Sequence, residues 1–286
     1  RVLGGCSPGP ALAMHDAGRG PRGIEEALER FQGISEVPDD VVAALKALSN
    51  GSQALQAFAP RALARTALAA ASVTPPETQV LAAVCQIVAG PSADLLAGAE
   101  PGDMATLAWG LAAAGHRDVP AMTAVGDQLA ERAWEFSTEE LAKTLRAFAE
   151  LGLSHQTMMA TVSMEVMWKI DQFSARSLAQ VAESCARLGY CKEPMFDWLA
   201  ARVIGRLEDY GLEDLATVAW AFAEASIKNE VLFASVADAI AKRSPEMDEA
   251  DLSRVIWSFG KLGIAGRGVA QPLFHPLLSG PAGEYS

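Results

Sequence analysis

Four cysteines and four histidines carry the most specific chemistry in this chain, and their spacing does not assemble them locally. Cys6, Cys85, Cys185 and Cys191 contain no Cys-x-x-Cys pair. His15, His116, His155 and His275 complete no metal-ligand spacing with them. The expectation is no metal, and reduced, unligated thiols that serve as small apolar residues of helical cores. Adjacent carboxylates occur at Glu25-Glu26 and Glu139-Glu140. Both pairs stand at expected helix starts, where the positive end of the helix dipole stabilises negative charge. No Gly-Lys-Ser/Thr loop and no His-Glu-x-x-His motif occurs. These residues predict a protein without catalytic machinery or cofactor.

The remaining candidates are cations and tryptophans that recur at a fixed interval of 37 residues. One column reads Thr106, Lys143, Gln180, Thr217, Arg254. A second reads Trp109, Arg146, Glu183, Trp220, Trp257, and a third Ala113, Glu150, Arg187, Glu224, Lys261. Variable polar and aromatic residues at equivalent places of a regular frame are how single-strand RNA readers assign side chains to successive bases. The same residues equally describe tryptophans covering a seam between helices, beside an ordinary charged surface. A fourth column, Arg132, Lys169, Arg206 and Arg243, is wholly basic. Its place at helix ends predicts either complementation of the helix dipole or a track of phosphate contacts.

The elements that must position these columns follow from the same interval. Met104, Leu141, Leu178, Leu215 and Leu252 each open an aliphatic-small-x-x-small-x-small segment. Seven residues later stand Leu111, Phe148, Cys185, Phe222 and Phe259, and eleven later Gly115, Gly152, Gly189, Ser226 and Gly263. A period in this range marks a solenoid or array. Each unit reads as two helices. Ser137 with Glu140 fits a capping box at the start of one first helix. The glycine column closes the first helices in a left-handed conformation. Second helices start near Pro120, Thr157, Pro194 and Val231, with apolar columns at Val125, Val162, Leu199, Val236 and at Leu129, Val166, Val203, Ile240. At ~100° per residue, offsets 0, 3, 4, 7 and 8 from the opener form the core stripe and offsets 2, 5 and 9 the opposite face. Leu178 is accordingly expected to be core and Thr217 to face solvent.

The expected fold is all-α, a right-handed α-solenoid of ~37-residue antiparallel helix pairs. Residues 1–23 are rich in Gly, Pro and Ala and read as a tail, and residues 24–101 as a helical cap with a worn repeat. Within the cap, helices are expected over Ile24–Phe31, over Asp39–Leu48 with Asp39 as N-cap, to about Ser72, and from Val80 to Val88 after the Thr74-Pro75-Pro76 break. The regular repeats cover residues 102–264, and residues 265–286, with Pro272, Pro276 and Pro281, form an extended tail that could fold back over the last repeat. Because the first residue is Arg1, a processed or longer product is expected.

The segment Leu141-Ala-Lys-Thr-Leu-Arg-Ala-Phe-Ala-Glu-Leu-Gly152, and its copy from Leu215 to Ser226, resembles the first helix of octotricopeptide and heptatricopeptide repeats. The resemblance implies a helical-repeat protein of a chloroplast or mitochondrion that binds RNA. The net charge of −12 and pI near 4.8 argue against broad nonspecific binding to nucleic acid. Charge of both signs around aromatic residues suits a protein interface. The preferred expectation is therefore a protein-binding scaffold subunit of an organellar complex, with single-stranded RNA as the alternative ligand and no membrane span.

Overall fold

The computed structural model describes residues 21–31, 37–50, 52–90, 94–243 and 247–264. Among them are fourteen α-helices, packed in stepwise antiparallel pairs, and no strand. The chain opens with α1 (Pro21–Arg30), α2 (Asp39–Asn50), α3 (Pro60–Ser72), α4 (Thr78–Val88) and the single-turn α5 (Asp94–Ala97). The regular pairs are α6 (Pro101–Ala113) with α7 (Val119–Arg132), and α8 (Thr138–Leu151) with α9 (Gln156–Trp168). They continue with α10 (Ala175–Arg187) and α11 (Glu193–Gly205), then α12 (Leu212–Glu224) and α13 (Glu230–Arg243), and end with α14 (Glu249–Lys261). No helix among the described residues is long and apolar enough to cross a membrane. Most of the two expected tails, residues 1–20 and 265–286, lies outside the described residues.

Two layers result. First helices α3, α6, α8, α10, α12 and α14 pack side by side, and second helices α4, α7, α9, α11 and α13 form the other layer. The first-helix layer is the tighter one because its contact positions are small. A Cβ on Gly110 would lie 2.8 Å from the Ala67 carbonyl carbon and the Leu68 nitrogen of α3. The worn repeat therefore continues the array: its opener is Leu63, 41 residues before Met104, because α5 is inserted between the pairs. Helices α1 and α2 pack on α3 and α4 as a further pair. Helix α1 begins at Pro21, three residues before the apolar stripe. The second helix starts one residue ahead of Asp40, with the amides of Val41 and Val42 bonded to the Pro38 carbonyl, so Asp39 sits inside the first turn instead of capping it.

The core columns fall where the period requires. Openers Met104, Leu141, Leu178 and Leu215 are buried, as are all five residues at offset 7. Leu252 is only half-buried, because no described repeat follows α14 to cover it. Ser137 accepts from the Glu140 amide while Glu140 accepts from the Ser137 amide, completing the capping box. The glycine column is left-handed throughout, with φ of 62–68° at its four glycines. Ser226 adopts the same conformation at φ 58°. A left-handed non-glycine residue is strained by ~1–2 kcal/mol, partly offset by the freedom glycine adds to the unfolded chain. Ser226→Gly should therefore raise stability by about 0.5–1 kcal/mol, measured by urea denaturation.

Candidate functional site

Offsets 2, 5 and 9 of successive first helices come together on the outer side of their layer. Lys143 Nζ donates to Thr106 Oγ1 at 3.2 Å, and Arg254 Nη1 to Thr217 Oγ1 at 3.0 Å, each across one repeat. Burial depresses the Lys143 pKa, and the Arg65 guanidinium of α3 adds to the effect. Thr217 is not solvent-facing as its helical angle predicts: it is 8% exposed, because Arg254 of the next repeat lies across it.

Aromatic and charged residues at offsets 5 and 9 form a second line. The Arg146 guanidinium sits 4.9 Å from the Trp109 ring centroid, and Arg187 5.6 Å from that of Trp220. Lys261 stands over Trp257 at 4.7 Å. Glutamates join these stacks. Glu150 lies 3.8 Å from Arg146 and 3.7 Å from Arg187, Glu183 is 3.0 Å from Arg187, and Glu224 is 2.6 Å from Lys261. Trp109 and Trp220 are half-buried, whereas Trp257 at the end of the array is 45% exposed. At exposed sites a cation over an aromatic face contributes about 0.5–1 kcal/mol, and surface ion pairs about 0–1 kcal/mol. The line is thus held weakly enough for a ligand to rearrange it.

In the middle of this face is a polar groove of about 220 Å³. Arg146, Arg176, Arg187 and Arg254 line it together with Glu150, Glu183, Glu213 and Asp214, and with Gln180 and Thr217. Seven of the residues read from the columns, Arg146, Glu150, Gln180, Glu183, Arg187, Thr217 and Arg254, therefore meet here, while Thr106, Trp109, Lys143, Trp220 and Trp257 lie along the same layer outside it. Burial raises the Asp214 pKa, against the pull of Arg176 and a hydrogen bond from the Gly211 backbone. The column reading missed Arg176 and Glu213. Both occupy offset −2, which falls at about 160° by the same helical arithmetic and so on the same face.

The basic column occupies a different place. Lys169 Nζ donates to the Trp134 and Phe136 carbonyls of the preceding repeat, each at 3.0 Å, and pairs with Glu165 at 3.1 Å. Arg132 donates to the Ala97 carbonyl at 2.8 Å, and Arg243 to that of Tyr210 at 2.8 Å. Arg206 pairs with Asp209 within its own turn, and Arg202 reaches the Asp171 carbonyl at 3.0 Å in its stead. Arg132, Lys169 and Arg243, with Arg202 in place of Arg206, thus bind backbone carbonyls of the preceding unit.

The second-helix side shows large aromatics that periodicity did not mark. Trp134, Trp168 and Trp198 are 63%, 78% and 56% exposed. They occupy three different offsets, so no column could show them. The described cysteines are free, and burial pushes the Cys185 thiol up to about 12, with no reactive thiolate at neutral pH.

Fold and face together define a helical-repeat protein whose first-helix layer carries a polar groove flanked by Trp109, Trp220 and Trp257. The chain belongs to the family described as RESC6, RNA-editing substrate-binding complex 6 protein, whose sequence profile matches residues 94–277 of the 286. The likeness to octotricopeptide and heptatricopeptide repeats thus extends to the helical-repeat pattern and not to membership of those families. No curated protein matches the chain.

Proposed function

We propose that this chain is a non-catalytic helical-repeat subunit of a mitochondrial RNA-editing substrate-binding complex, and that its first-helix face meets single-stranded RNA. The family match over all the regular repeats carries the first part. It favours RNA over the protein-only scaffold preferred from net charge. The second part rests on the groove, where four arginines converge beside Trp109 and Trp220. Each tryptophan already holds an arginine against its ring, a place where a base can stack for about 1–3 kcal/mol. The interleaved glutamates hold those arginines now, so phosphate must displace carboxylate. Binding by the isolated chain is therefore modest, and steep in salt.

A protein partner is favoured for the other side of the array. Trp134, Trp168 and Trp198 are exposed large aromatics of the kind that anchor interfaces. This reading gives one side of the array to RNA and the other to fellow subunits.

Titration of the purified chain with a pool of single-stranded RNA at low and moderate salt tests the RNA assignment. Arg146→Glu with Arg187→Glu should weaken binding at least about tenfold, and Trp220→Ala by roughly 5- to 150-fold if a base stacks there. Binding unchanged in both variants, or none at low salt, overturns it.

A further inference from the structure

The seam between second helices α4 and α7 differs in chemistry from those after it. At this seam and the two that follow, a small residue of one second helix faces the loop after the next repeat's left-handed turn. Ser163 of α9 lies 3.5 Å from the Tyr190 hydroxyl, and a Cβ on Gly126 of α7 would meet the His155 ring at 2.8 Å. Cys85 is the corresponding residue of α4, since it precedes Gly126 by the same 41 residues that separate Leu63 from Met104. Its partners across the seam are His116 and Asp118. The Cys85 thiol, a ring nitrogen of His116 and a carboxylate oxygen of Asp118 all lie within 4.8 Å of one another.

Histidine is the exception in its column. The equivalent residues of later repeats are Leu153, Tyr190, Ile227 and Ile264, none of which offers an imidazole. Among the described residues the His116 ring makes no hydrogen bond. Asp118 engages only Oδ1, which accepts from the Ala121 amide at 2.9 Å as the N-cap of α7. Its other oxygen remains for a second partner.

We propose that Cys85, His116 and Asp118 form a divalent transition-metal site, with zinc as the ion that thiolate, imidazole and carboxylate donors fit. Metal–donor bonds of ~2.0–2.3 Å put tetrahedral donors about 3.4 Å apart. Closing the cluster therefore takes roughly 1 Å of movement shared among three side chains, within the reach of small rotamer adjustments. On binding, the thiol gives its proton to solvent, and thiolate plus carboxylate then balance the 2+ charge, so the half-buried site becomes neutral. Water takes the fourth position. The ion ties α4 to the turn between α6 and α7, the one junction where the repeat interval is 41 instead of 37.

The whole chain, stripped with chelator and titrated with Co(II), should take up one equivalent with a thiolate-to-cobalt charge-transfer band and intense tetrahedral visible bands, displaced by Zn(II). Its melting temperature should rise with either ion. Cys85→Ser should lose the charge-transfer band. His116→Leu places at this seam the residue that Leu153 supplies at the next, so it should fold and lose both the visible bands and the melting shift. Should that variant fail to fold, Asp118→Asn keeps a cap oxygen while removing the charge, and should bind at least tenfold more weakly. No band in the original chain, or a full-strength thiolate band in Cys85→Ser, overturns the site.

Discussion

Phe222→Ala should lower the unfolding free energy by ~3–5 kcal/mol, the largest single-residue loss expected in the array. Phe222 is 1% exposed, and its ring meets Phe196 edge-on, with centroids 5.0 Å apart at 78°. The pair joins the second helix α11 to the first helix α12, so the cavity would open across a boundary between repeats. Such an edge-to-face pair adds about 0.5–1.5 kcal/mol beyond the area it buries. In an array, each repeat is stabilised mainly by its neighbours. Weakening one interior boundary should therefore broaden the transition, as the halves on either side begin to melt separately. The control is Gln180→Ala, on the groove side, expected within about 0.5 kcal/mol of the original. Urea denaturation followed by circular dichroism measures both. Equal midpoints for the two variants would show that the offset-7 column is not the seam.

Much of this was legible in the sequence because a repeat states each residue's environment several times over. One leucine at position 178 is ambiguous, but a leucine or methionine at five positions 37 apart defines a buried column. The glycine column carried its left-handed turns for the same reason, including the one at Ser226, where residue type alone would not predict it. What stayed illegible depends on neighbours brought in by the third dimension. Thr217 has a solvent-facing helical angle, yet Arg254 covers it from the next repeat. The register of the worn repeat was hidden by α5, whose four residues shift the interval to 41. Cys85, His116 and Asp118 are scattered along the chain and meet only because adjacent repeats stack. No local ligand motif exists to be read.

Lys169→Met is the second large effect expected, and it decides what the basic column does. The ammonium group has three hydrogens, and Lys169 has three acceptors: the Trp134 and Phe136 carbonyls and Glu165. Glu165 is only 6% exposed. Methionine preserves much of the side chain's length and packing but leaves a buried carboxylate unpaired and two turn carbonyls without their donor. Removing one member of a buried pair costs about 3–5 kcal/mol. Because Lys169 itself keeps some exposure, about 2–4 kcal/mol is expected here. Adding Glu165→Met should recover most of the loss, since replacing both members of such a pair with apolar groups is nearly neutral. A phosphate-binding lysine predicts the reverse pattern: unchanged stability in Lys169→Met, no rescue in the double variant, and weaker RNA binding. Urea midpoints of the two single variants and the double variant, measured beside RNA titrations at low salt, separate a cation that joins adjacent repeats from one that follows a nucleic-acid backbone.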